Sequence, residues 1–206
     1  INELNISDTI CDPENIEALP ALSVDEPTVS MTFLVNDSPF AGLEGKFITS
    51  RKIKERLEQE LLHNVALRVE DGESSDKFIV SGRGELHLSV LIETMRREGF
   101  ELTVSRPNVL YKTDSDNNRL EPIEEVTIDV DKEFSSTVID GMNQRKSEMV
   151  DMKSAEGDKV RLIFLAPSRG LIGYQSRFLT DTRGTGVINR VYHSYGKYKG
   201  EMGSRR

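Results

Sequence analysis

Ser81-Gly82-Arg83-Gly84-Glu85-Leu86-His87-Leu88-Ser89-Val90-Leu91-Ile92-Glu93-Thr94-Met95-Arg96-Arg97-Glu98-Gly99 decides the fold class, because it reads as a strand end, a tight turn and a complete helix. Leu88, Leu91, Ile92 and Met95 recur at i, i+3, i+4 and i+7, which is one apolar stripe for a core. Glu85 opens the helix, where the positive end of the dipole favours an acid, and Arg96 and Arg97 crowd its last turn. Gly99 is placed to stop the helix in the left-handed conformation. Gly82 and Gly84 permit the turn that leads in. Phe78 and Val80 alternate just before, and Phe100, Leu102 and Val104 just after. Strands are therefore expected over 77–80 and 100–105.

Working back towards the start, Val29, Met31, Phe33 and Val35 alternate with Ser30, Thr32 and Leu34, as in a strand buried on one side. Residues 36–45 hold Pro39 and two glycines and read as a long turn. Ser50 is a candidate N-cap for a helix carrying Ile53, Leu57 and Leu61 on its inner face. Another strand is expected over 65–70. The order is then β-α-β-β-α-β, the split plan of a ferredoxin-like domain with four antiparallel strands and two helices on one face. Residues 1–27 read as a lead-in: weak alternation over 1–10, a break at Asp12-Pro13, and an extended linker over 20–27.

Working forward, residues 107–120 lack apolar periodicity and are rich in Asp, Asn and Ser, so they mark a boundary. The plan then repeats. Val126, Ile128 and Val130 form a strand, and Phe134, Val138, Ile139 and Met142 line a helix. Residues 148–152 read as a weak strand and 160–166 as a central one. Ser168-Arg169-Gly170 opens a helix bearing Leu171, Tyr174, Phe178 and Leu179, Gly184 ends it, and a last strand covers 185–195. Arg83-Gly84 and Arg169-Gly170 thus recur at the same junction of the two halves. The expected class is α+β with two tandem ferredoxin-like domains at 28–108 and 109–196, followed by an extension over 197–206.

Length agrees, since 206 residues suit two domains of about 100. The single cysteine, Cys11, excludes an internal disulfide and offers no zinc set. No apolar run approaches the roughly 18 residues of a membrane span, and a cytoplasmic, monomeric protein without membrane or DNA partners is the simplest expectation. The net charge of −8 argues against indiscriminate binding to nucleic acid, but it hides an asymmetry. From Val160 to Arg206 there are nine Lys and Arg against two acids, +7, while the remainder has 18 bases against 33 acids, −15. The C-terminal quarter is therefore the expected anion-facing surface.

Catalytic patterns are weak. Gly42-Leu43-Glu44-Gly45-Lys46-Phe47 comes nearest to a phosphate-binding loop but lacks its spacing and the hydroxyl that holds magnesium. His63, His87 and His193 lie in three elements with no partner at ligand spacing, so neither a metal site nor a catalytic residue is expected. A partly buried, structural His87 is the favoured reading, and contact with a phosphate beside Arg83 is the alternative. RNA contact is the remaining chemistry. Arg83, Arg169, Arg177, Arg183, Arg190 and Lys197 are the candidate residues, because the planar guanidinium fork suits phosphate. Tyr192, Tyr195 and Tyr198 are candidates either for base stacking or for packing. The signature of RNA-reading sheets is absent.

Ser-Gly-Arg-Gly-Glu-Leu-His-Leu at 81–88 resembles the third domain of elongation factor G-like translational GTPases. The wider run from Pro20-Ala21-Leu22-Ser23-Val24-Asp25-Glu26-Pro27-Thr28 through Met95-Arg96-Arg97-Glu98-Gly99-Phe100 is similar to the BipA (TypA) family. The resemblance implies domains III and V of a ribosome-binding GTPase, with the lead-in as the end of a preceding β-barrel. It implies docking to ribosomal RNA and ribosomal proteins in bacteria, during stress-related translation or ribosome assembly. GTP and magnesium would then be held elsewhere in the longer protein, with no cofactor expected in these residues. A metabolite-binding regulatory tandem and a structural spacer are the alternatives.

Overall fold

The computed structural model describes residues 9–20, 26–155 and 157–202. It divides into two units, Ile1–Pro107 and Asn108–Arg206. Most of the expected lead-in strand and linker lies outside the described residues. Residues 9–20 hold a turn in which the Asn15 N–H donates to the Asp12 carbonyl.

The first unit follows β-α-β-β-α-β: β1 (Val29–Val35), α1 (Ser50–Leu61), β2 (Arg68–Asp71), β3 (Lys77–Gly82), α2 (Glu85–Arg97) and β4 (Leu102–Val104). The strand order is β2-β3-β1-β4, all antiparallel. In register, Met31 faces Val80 and Phe33 faces Phe78. Opposed residues of an antiparallel pair share a face, so the alternation read from sequence becomes one apolar surface. Ile53 and Leu57 of α1, and Leu88, Leu91 and Met95 of α2, are buried over it. Each such side chain contributes roughly 1.5–3 kcal/mol by leaving water.

Two local expectations change. Ser50 is the first helical residue and Thr49 the cap, with no side-chain cap bond. Of the two turn glycines only Gly82 is required: a Cβ there would lie 2.8 Å from His87 Nδ1 and 2.9 Å from a Leu88 methyl, whereas Gly84 has open space. Gly99 ends α2 with φ +93°, as its position predicts.

The second unit contains β5 (Asn108–Val109), β6 (Lys112–Thr113), β7 (Arg119–Asp131), a 3-10 turn (Lys132–Phe134), α3 (Ser135–Asn143), β8 (Glu148–Ser154), β9 (Lys159–Pro167), α4 (Ser168–Leu171), α5 (Tyr174–Asp181) and β10 (Val187–Lys197). Its sheet runs β10-β7-β9-β8, with β6 also on β7. Val126, Ile128 and Val130 oppose Phe164, Leu162 and Val160, and these six form the core with Val138, Met142, Leu171, Tyr174 and Phe178.

This unit departs from expectation at both ends of its sheet. β7 begins seven residues before Val126, because β6 pairs with Arg119 and Leu120 on one side and β10 runs on to Lys197, opposite Leu120. The helix expected after Ser168 is broken in two. Gly173, at φ +69°, turns the chain between α4 and α5, which brings Leu171 as well as Tyr174 and Phe178 into the core. Leu179, expected inside, is 40% exposed.

Candidate nucleic-acid interface

The glycine-rich loop of the first unit contains an anion cradle, and a protein carboxylate fills it. Backbone N–H groups of Gly42, Glu44 and Gly45 donate to Glu101 at 3.0–3.2 Å, and the Asn36 amide donates at 2.6 Å. These bonds, that from Gly45 foremost, hold the Glu101 carboxyl below the usual carboxylate range. The cradle thus fixes the shape of residues 36–45 and presents Phe40 and Leu43, both more than 70% exposed.

At the start of α2, His87 is half-buried. Its Nδ1 accepts the Arg83 backbone N–H at 3.3 Å, and its Nε2 lies 2.9 Å from the Asn64 amide. Burial first, and the Arg83 charge second, lower its pKa. Both ring nitrogens are engaged with the fold, in keeping with a structural histidine. Arg83 itself is exposed, and its guanidinium has no ion pair among the described residues.

The six predicted contact residues fall into two groups. Arg169 and Arg190 are committed internally. Arg169 binds the wholly buried Glu121 through two nitrogens and donates to the Gly200 carbonyl at 2.6 Å, with 14% of its side chain exposed. Arg190 forks onto Glu124 at 2.7 and 3.0 Å. The Arg83-Gly84 and Arg169-Gly170 pairs therefore sit in unlike environments, one exposed and one within α4. Arg177, Arg183 and Lys197 join Arg83 on the surface. Arg177 is 59% exposed and lies 3.5 Å from Asp181 on the same helix face. Arg183, at φ +50°, lies 5.6 Å over the Phe134 ring. Lys197 is exposed near Asp114, whose carboxyl it helps to lower after the hydrogen bonds from Asn118. These surface cations stand on separate elements, each beside a different neighbour.

The tyrosines pack. Tyr195 donates to the Leu110 carbonyl at 3.1 Å and lies under Lys112 Nζ at 4.4 Å. Arg119 stacks 3.5 Å from the Tyr111 ring and 4.9 Å from Tyr198, and Arg169 covers Tyr198 at 4.5 Å. Each cation–π contact of this kind contributes about 0.5–2 kcal/mol.

Sequence reading missed Glu121, Tyr111, Arg119, Lys146 and Lys199. Nothing separates Glu121 from its neighbours in the acid-rich run 121–125; only the pairing of β7 with β10 shows that it is covered. The units also differ in charge. The first holds 11 Lys and Arg against 20 acids, −9, and the second 16 against 15, +1. Among the described residues there is no group of three metal-type ligands, and no helix is long and apolar enough to cross a membrane.

Comparison with known proteins places the chain. Residues 118–206 match the family described as elongation factor G C-terminus. Over its whole length the chain is 57% identical to the large ribosomal subunit assembly factor BipA of Salmonella typhimurium, 56% to that of Escherichia coli K12 and 52% to that of Bacillus subtilis. It spans 34% of the length of each of these relatives. A crystal structure of a Thermus thermophilus protein superposes with a TM-score of 0.52 over 91% of this chain and 44% of that one. At 13% identity that likeness speaks for the fold alone.

Proposed function

Because the chain belongs to the BipA family, and its residues 118–206 to the elongation factor G C-terminal domains, we propose that it docks a longer translational GTPase on the ribosome. The observation that carries this is whole-length identity of 52–57% to large ribosomal subunit assembly factors. In this reading the chain performs no chemistry. GTP and magnesium belong to another part of the longer protein, and the glycine-rich loop that comes nearest to a phosphate cradle is occupied by Glu101. The chain acts as a monomer in the bacterial cytoplasm, in ribosome assembly and stress-related translation, with neither membrane nor DNA as a partner.

Arg83, Arg177, Arg183 and Lys197 are the residues assigned to phosphate, since their charged ends are exposed. Arg169 and Arg190 hold the fold that presents them. The mechanism is electrostatic: each phosphate neutralised releases condensed counterions, so affinity falls with salt. Filter binding of the chain to intact ribosomes across a salt series tests it. Affinity is expected to fall log-linearly with salt, and the triple variant Arg177→Ala/Arg183→Ala/Lys197→Ala to flatten that slope by about 0.7–0.9 for each phosphate left unneutralised. Salt-independent binding, or an unchanged slope in the variant, would favour the spacer reading, which draws on the internal pairing of Arg169 and Arg190.

A further inference from the structure

Residues 198–202 follow β10 and are tied back onto the second unit. The Tyr198 N–H donates to the Arg119 carbonyl at 3.0 Å, and the Lys199 N–H donates to Glu121 Oε1 at 2.8 Å. Arg169 holds both the Gly200 carbonyl and Glu121. The Met202 methyl reaches to 3.1 Å from where a Cβ on Gly170 would stand, so this glycine leaves the room the segment occupies. Glu121 is completely buried. A buried carboxylate stripped of its partners is strongly unfavourable, so its geometry and that of the segment are coupled.

The same segment brings two lysines together. Lys146 Nζ donates to the Lys199 carbonyl at 2.7 Å, and Lys199 Nζ donates to the Lys146 carbonyl at 3.2 Å. Each ammonium is thus held beside the other residue's backbone. Neither has a carboxylate partner among the described residues: Glu201 is bonded to Tyr198, and Asp114 lies near Lys197. Two ammoniums are thus fixed at one segment without a carboxylate counter-charge among the described residues, a local excess of positive charge that favours an anion there. Lys146 adopts φ +57°, a left-handed conformation that a residue with a side chain seldom takes without constraint.

We infer that Glu121 and Arg169 form a clasp holding residues 198–202 as a strap, and that the strap assembles Lys146 and Lys199 into a phosphate-binding site for RNA. The inference rests on the docking reading above and adds a contact site to the surface residues assigned there. Glu121 and Arg169 are positioning residues, because neither faces the phosphate.

Two measurements on the whole chain test it. In filter binding to ribosomes, Lys146→Ala/Lys199→Ala is expected to weaken affinity roughly tenfold and to flatten the salt slope. Glu121→Gln is expected to weaken it comparably although it removes a negative charge, which simple electrostatics would make tighter. Binding by Glu121→Gln as tight as wild type, or an unaffected double lysine variant, overturns the proposal. Inorganic phosphate titrated by calorimetry is expected to give no saturable heat. Saturable binding that is abolished in the double variant would assign the site to free phosphate instead of RNA.

Should the wild-type chain fail to bind ribosomes, the docking reading fails, and limited trypsin digestion judges the clasp alone. Cleavage after Lys197 and Lys199 is expected to rise roughly tenfold in Glu121→Gln, while the bond after Arg161 in β9 stays intact. Arg169→Lys, which keeps the charge but loses the fork, is expected to do the same if Glu121→Gln does not fold. Unchanged cleavage at Lys199 in a folded variant overturns the clasp.

Discussion

At the scale of single residues, carboxylates do the organising. Glu101 gathers three backbone N–H groups and one amide, and so orders a loop that would otherwise have polar groups to solvate. Its pKa is depressed in the fold, so the stabilisation is fully present above the unfolded value near 4.3 and is lost as pH falls through the lower folded value. Amide exchange of Gly42, Glu44 and Gly45 checks this. Glu101→Gln is expected to speed their exchange at neutral pH while the β3 amides are unchanged, and acidification of the wild type to do the same. Glu93 is a contrasting case. Arg96 and Arg97 hold its carboxyl at about 2, yet all three side chains are largely solvated, so that ion-pair cluster decides little.

Among elements, the α4–α5 break decides how the second unit fills its core. A continuous helix from Ser168 would carry Leu171 and Phe178 at a spacing of seven, with Leu179 also inward, and the periodicity suggests as much. The structure places Gly173 at φ +69° and so reorients α5, leaving Leu179 outside. Gly173→Ala is expected to cost about 1–2 kcal/mol, because a Cβ in the left-handed region meets the following carbonyl, and Gly173→Asn less. Thermal unfolding of the two variants checks the order. On β9, Phe164 is fully buried between β7 and β8, and Phe164→Ala is expected to cost about 3–5 kcal/mol, read from the denaturant midpoint.

For the molecule as a whole, charge separates the two units more cleanly than composition does. Lys52 and Lys54 of the first unit are locally answered, by Glu55 and Asp71, both at 2.8 Å. Lys146 and Lys199 of the second are not. Acetylation of the chain with and without ribosomes, followed by mass spectrometry, is expected to show protection at Lys146, Lys197 and Lys199 and none at Lys52 or Lys54. Equal protection of both sets would extend the contact to α1.

The sequence by itself determined the fold class, the strand that enters α2, the two helical stripes and the central position of β9. These follow from local periodicity, which each element carries within its own residues. It also located Gly99 as the left-handed stop of α2, whereas after α5 the left-handed turn begins one residue before Gly184, at Arg183. Tertiary structure alone decided which arginines are spent inside. Arg169 and Arg190 resemble Arg177 and Arg183 in sequence, and their partners Glu121 and Glu124 lie 48 and 66 residues away. Burial of those acids follows from β10 and the strap crossing over β7, a long-range pairing that no local pattern encodes.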